Sequence, residues 1–353
     1  MSATGLAAAL SVFTMGFAIQ RGGTCTVAAV DEVLTNRRAH RLLAMLEASL
    51  WVAGALALAQ WASFGGSMPA SQAVSAWTFI GGALLGLGAW LNRACVFGAV
   101  ARLGSGEWAY AFTPLGFYAG CLSVATIFHR TDVDPSTGPV TWLGLAPVFG
   151  LLFAGYALWR LSPCLSVLRG PGRAQWLSQR VWAPHAATIV IGLTFVVTLL
   201  LAGRWAYTDV LADLARMMNG AHSGLGLPVL LLLALYAGAL VGGRSAGRWR
   251  STSISAPQVV RCFGGGVLMG WGSLLIPGSN DGLILIGIPL LRPYAWLAFA
   301  SMFAAIAGAM LAQRAFAERA PVPSEHGGRG GERSDLRRTR ARQLSGPGKD
   351  ARQ

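Results

Sequence analysis

GALLGLGAWLNRACVFG, residues 82–98, and GVLMGWGSLLIPGSNDG, residues 266–282, align without a gap. Both fit G-x3-G-x-G-x6-[C/S]-x2-G, which sets Gly86 on Gly270, Gly88 on Gly272, Cys95 on Ser279 and Gly98 on Gly282. A weaker copy, GFAIQRGGTC, places Gly16 nine residues before Cys25, as Gly86 stands nine before Cys95. GRWAYTD is a fourth candidate, with Arg204 and Thr208 where Arg21 and Cys25 stand. A motif repeated across the middle of a chain predicts two related halves, divided here near residue 170. Glycines four apart let helices approach closely, so Gly82, Gly86, Gly266 and Gly270 are read as packing positions.

Outward from these stretches the chain is apolar. Of its 353 residues, 54% are hydrophobic and 12% charged, with 46 glycines. A soluble domain carries about 25% charged residues. Apolar segments fall at roughly 5–19, 41–63, 75–95, 107–128, 140–160, 184–202, 225–242, 257–276 and 293–312. These lengths suit a bilayer, so the expected fold is an all-α polytopic membrane protein with about nine transmembrane helices. The first run lacks a basic flank and leads into further spans, so it is read as retained rather than cleaved. Residues 20–35, 92–104, 204–219 and 278–291 are shorter and interrupted, and read as broken or re-entrant pieces. Such backbone survives at membrane depth only when it is buried in protein or faces water.

The net charge of +14 comes almost wholly from Arg. Basic and non-basic connections alternate, which orients the N-terminus outside and the C-terminus in the cytoplasm. This accounts for the charge without a nucleic-acid partner. By the same count each half holds an odd number of spans, so the halves enter the bilayer from opposite sides. The expected organisation is a first repeat at 1–165, a basic cytoplasmic linker at 166–183, an inverted second repeat at 184–313 and a disordered Arg-rich tail at 314–353. Inverted repeats with paired broken helices place a substrate site near the midplane.

The chemistry of the breaks narrows the substrate. Gln20 and Arg21 precede Cys25, Asn92 and Arg93 precede Cys95, and Ser279, Asn280 and Asp281 mark the third break. A charge at the bilayer centre costs at least ~2.5 kcal/mol, so such residues face a cavity or a partner. Arg21 and Arg93 either serve an anion or snorkel to the interface. Asp281 either pairs with Arg93 or caps the half-helix that follows. Glu47, inside LLAMLEASLWVAG, is expected in an ion pair within the bundle. Exposed N–H groups at a helix start attract anions, and a polarisable sulfur beside a positive charge suits a soft, sulfur-containing one. Cys121, Cys164 and Cys262 are read as small hydrophobes. No cysteine pair has zinc or CxxC spacing, which argues against a metal site or disulfide framework, and no cofactor is expected.

At these residues the sequence resembles the YeeE/YedE family of sulfur-transport membrane proteins, which includes bacterial thiosulfate importers. The matching pieces are GFAIQRGGTC, GLGAWLNRACVFGAVARLGSG and GGVLMGWGSLLIPGSNDGLILIGIP. The resemblance covers most of residues 5–312. It implies an hourglass-shaped, inverted-repeat permease of the inner membrane whose cysteines hydrogen-bond a passing thiosulfate-like anion. It also implies a small cytoplasmic sulfurtransferase as partner. Cys25 and Cys95 occupy the family's cysteine positions, while the third, in its PGCNDG-like stretch, is Ser279 here. The expected pathway set is therefore Cys25, Cys95, Ser279, Arg21, Arg93, Asn92 and Asn280. Two other readings stand beside uptake of a sulfur anion: a membrane-embedded sulfurtransferase with a persulfide on Cys25 or Cys95, and a permease for a selenium species or another anion. A structural subunit is a further alternative.

Overall fold

The computed structural model describes residues 2–64, 71–128, 135–136, 145–169, 181–218, 224, 226–247, 249–276 and 278–319. Among them, seven helices are long and apolar enough to cross a membrane, or eight if one bent pair counts as a span. All nine apolar segments of the sequence fall on helices. The segment at 140–160 lies on a helix that begins at Ala146 and whose fully described apolar stretch is Ala146–Ser162. Many large apolar side chains point outward, Phe79, Leu152, Leu158 and Val260 among them. That is a surface made for lipid rather than water. Buried hydroxyls close locally onto carbonyls, as Thr198 does on Thr194 O at 2.8 Å. This satisfies them without water.

In chain order the helices are α1 (Ala3–Gly22), α2 (Thr26–Asn36), α3 (His40–Trp61), α4 (Ala76–Asn92), α5 (Val96–Gly104), α6 (Phe112–Phe128), α7 (Ala146–Arg169), α8 (Pro184–Ala202), α9 (Tyr207–Met218), α10 (Gly226–Ser245) and α11 (Ala256–Leu275). There follow α12, a helical turn at Asn280–Gly282 that passes into a π-turn at Leu283–Gly287, and α13 (Pro293–Arg319). Ser71–Gln72 and Pro135–Ser136 form a two-residue antiparallel ladder. α1 with α2 and α4 with α5 run on as broken spans, Ala3–Asn36 and Ala76–Gly104, whereas α11 and α12 are bent by 50°. Residues up to Leu311 form one compact unit, in which the two expected halves pack together. Most of the expected linker, 170–180, and the tail beyond Arg319 lie outside the described residues. α13 continues as helix through Arg319, past the expected start of the tail.

The breaks are encoded locally. α1 begins with the Ser2 hydroxyl accepting from Gly5 N at 3.1 Å and ends at Gly23, which is left-handed with φ 56°. α4 begins with a capping box of Ser75 and Thr78 and ends at Arg93, also left-handed with φ 59°. A left-handed residue turns the chain out of the helix, and glycine does this at least cost.

Glycines set the long helices backbone to backbone. A Cβ on Gly88 would lie 2.7 Å from Gly265 O, and one on Gly265 would lie 2.7 Å from Gly88 O. Gly81 and Gly272 face each other in the same way, at 2.8 and 2.5 Å. α4 and α11 therefore cross backbone to backbone at these glycines. On its other side, a Cβ on Gly86 would lie 2.5 Å from Met302 O in α13. Gly266 and Gly270 meet α6 at Thr113, Phe117 and Cys121. The expected packing role of Gly82, Gly86, Gly266 and Gly270 is thus met by named partners.

Candidate functional site

The starts of four short helices meet in one buried junction. Cys25, Cys95 and Ser279 stand immediately before α2, α5 and α12, each with extended backbone. A polar residue in that position ordinarily turns its side chain back onto its own helix. None of the three makes such a cap bond to its own helix's backbone. The two thiols cross over instead: Cys95 N donates to Cys25 Sγ at 3.4 Å, and Thr26 N donates to Cys95 Sγ at 3.3 Å. Each sulfur therefore accepts from the other cysteine's helix start, and the two thiols also hydrogen-bond each other side chain to side chain. Gly98, one turn into α5, makes room for this arrangement, since a Cβ there would lie 2.7 Å from Cys25 Sγ.

The second-half starts join this pair. Ser279 Oγ bonds both Thr208 Oγ1 of α9 and Asp281 Oδ1, and Thr208 Oγ1 donates to Asp281 Oδ1 at 2.8 Å. Thr26 Oγ1 donates to Asn280 Oδ1 at 3.2 Å, and Tyr207 OH donates to Val96 O at 2.9 Å. These two bonds tie α2 to α12 and α9 to α5. Cys95, Thr26 and Ser279 are all 0% exposed. Asn280 Nδ2 is buried with no partner among the described residues. An unmet donor at a dry, polar junction is costly unless something else accepts from it.

Of the expected pathway residues, Cys25, Cys95, Ser279 and Asn280 come together here. Three do not. Arg93 is exposed, because its left-handed backbone at the end of α4 directs its side chain away from the junction. It stands two residues before Cys95, as Gly23 stands before Cys25, so its counterpart is a turn glycine and not Arg21. Arg21 is buried but reaches Ser245 Oγ at 3.0 Å and covers the Phe17 ring at 4.9 Å. Asn92 spends its amide on the break itself, donating to Ala94 O at 2.8 Å and accepting from Thr113 Oγ1 at 3.0 Å. The proposed Arg93–Asp281 pair does not form. Among the described residues, Asp281 takes Ser279, Thr208 and Gly282 N as hydrogen-bond partners.

Glu47 is ion-paired as expected, with Arg160 at 2.9 Å, His185 and the Tyr156 hydroxyl. Cys121 and Cys262 are buried away from the junction, and the Cys164 side chain lies outside the described residues. Among the described residues no group of three His, Cys, Asp or Glu could hold a metal. Thr26 went unmarked in the sequence reading. Its only signal is its place directly after Cys25. Thr208 carried the faint signal of the fourth repeat copy.

Comparison with known proteins gives the chain a family. A curated relative, the thiosulfate transporter TsuA of Escherichia coli (strain K12), is 25% identical over 318 residues, covering 82% of this chain and 88% of the relative. The family model described as sulphur transport matches residues 21–311, which take in all four short helices, and the chain therefore belongs to the sulphur transport family.

Proposed function

We propose that this chain carries thiosulfate, or a closely related sulfur oxyanion, inward across the inner membrane through the junction of α2, α5, α9 and α12. The carrying observation is the crossed pair of thiols. Both sulfurs are buried, held by backbone N–H groups and hydrogen-bonded to each other, and an S–H released from that mutual bond is a soft donor that suits a soft terminal sulfur. Hydroxyls and the Asn280 amide, a few residues away, suit the anion's oxygens. The name of the E. coli relative supports the same substrate. Ser279 in the third position narrows the thiol contribution to two groups, so the anion is passed from sulfur to hydroxyl donors rather than along three equal thiols.

The inverted repeat belongs to this proposal, and the glycine contacts support it. Under the 184-residue register that sets Gly82 on Gly266, the pair Gly81–Gly272 maps onto Gly265–Gly88. The contact of Gly86 with Ala305 likewise maps onto that of Gly270 with Cys121. A two-fold axis in the membrane plane, between α4 and α11, generates such exchanges.

The test is uptake of labelled thiosulfate into proteoliposomes. Wild-type protein accumulates label, and Cys95→Ala abolishes that uptake at equal protein content. Unchanged uptake by Cys95→Ala overturns the role given to the thiols, and wild-type protein that moves no sulfur oxyanion overturns the transport reading.

A further inference from the structure

Asp281 is a buried carboxyl without a cation. It is 3% exposed, and among the described residues no Arg, Lys or His lies within ion-pair distance of it. Its partners are two hydroxyls and one backbone N–H, and all three bonds fall on Oδ1. The titratable groups facing it are Tyr207 and Asp209 from α9, and Tyr207 is backed in turn by Tyr236 of α10 and Cys95 of α5, none of which supplies positive charge. The nearest arginine on α9's approach, Arg204, is committed to Asp209 at 3.9 Å. A carboxylate in such a place is strongly disfavoured as an ion, whereas a carboxylic acid is tolerated.

The setting also decides between a proton and a metal cation. Asp281 lines a cavity of about 10 Å³, room for about one water. The other walls include Met15, Phe97, Phe195 and Leu285, with Tyr207 the one further oxygen-bearing side chain. A sodium or other hard cation needs a full shell of oxygens, and the Ser279 and Thr208 hydroxyls that could begin one are already spent on Asp281 Oδ1. Asp281 also sits next to Asn280 and Ser279, where an oxyanion has to pass, and like charges there repel. Finally, a multiply charged anion moving inward works against an inside-negative potential, which a companion proton partly cancels.

We propose that Asp281 carries a proton through the junction with each anion, making this chain a proton–anion symporter. Resting on the transport reading above, this adds its driving force. The proton adds to a free carboxylate oxygen of Asp281 from water on the outer side and leaves to water on the inner side, so no other bond is made or broken.

The experiment uses proteoliposomes loaded with a pH-sensitive dye, with external thiosulfate and a one-unit inward proton gradient in sodium-free buffer. Wild-type protein shows thiosulfate-dependent proton entry, and the gradient raises label accumulation up to about tenfold, the ratio that one coupled proton sets. Asp281→Asn brings that stimulation ratio to about one, while Asp281→Glu keeps it well above one. A substitution that only weakened folding would lower both rates and leave the ratio intact. Proton-independent uptake by the wild type, stimulation by a sodium gradient instead, or stimulation that survives in Asp281→Asn each overturns the proposal. Absence of any thiosulfate uptake by the wild type, with or without a gradient, overturns the transport reading rather than the coupling.

Discussion

The first-half and second-half sides of the junction are built on the same backbone plan and finished with different chemistry. On the first side, Cys25 and Cys95 trade N–H···S bonds between helices, and Gly98 is pressed against a sulfur. On the second side, Ser279 and Thr208 bond each other and a carboxyl, and Gly282, the partner of Gly98 in the repeat, has open space where a Cβ would stand. Sulfur is larger than oxygen and a weaker hydrogen-bonding atom, so the thiol side is held by backbone donors and close packing. The hydroxyl side is held by side chain–side chain bonds and leaves room. Shared fold therefore fixes where the four helix starts meet, and the residue at each start fixes what that place can grip.

The comparison can be broken most sharply at Cys95. A hydrogen bond to a charged ligand is worth about 1.5–3 kcal/mol, so Cys95→Ala should lower transport by roughly 10–150-fold or more, measured as initial uptake of labelled thiosulfate. Comparable loss in Cys121→Ala, a buried thiol away from the junction, would erase the distinction. The glycine pair comes next. Gly98→Ala drives a methyl into the Cys25 sulfur and should cost about 1–3 kcal/mol, read as a lower Tm together with slower uptake. Gly282→Ala meets nothing within 4 Å on a helical backbone, and should raise stability by roughly 0.5–1 kcal/mol. Equal effects at the two positions would show that the sides do not differ in packing.

A third substitution sharpens the chemistry. Ser279→Cys restores a sulfur on the hydroxyl side, and should shift competition toward thiosulfate over sulfate by a few-fold, in the range of about 1 kcal/mol expected of one neutral donor. The smallest effect is expected at Arg93. Arg93→Gly relieves a left-handed non-glycine residue, so Tm should rise slightly, by the equivalent of about 1 kcal/mol, with uptake unchanged. A tenfold loss of uptake would instead return Arg93 to the anion's path.

The sequence carried the scaffold well and the side-chain directions poorly. Each apolar run became a helix because hydropathy acts over about twenty residues and needs no knowledge of neighbours. The repeated motif was legible because glycine at Gly88 and at its partner Gly272 is demanded by close backbone contact. The breaks before Cys25, Cys95 and Ser279 were legible from the same register. Arg93 misled because charge suggests function, while the φ at that position decides where the charge points. Thr26 was invisible because its partner, Asn280, lies 254 residues away in sequence.

The glycine exchanges bear on how the molecule is made. α4 is seated by α13, and α11 by α6, so each half's broken helix rests on a helix that the other half supplies. When the ribosome has finished α6, the groove along Gly82 and Gly86 still faces lipid. It stays uncovered until the last helix is synthesised. Closure of this groove is therefore a late step, and a chain truncated before α13 is expected to be more sensitive to proteases than the full chain.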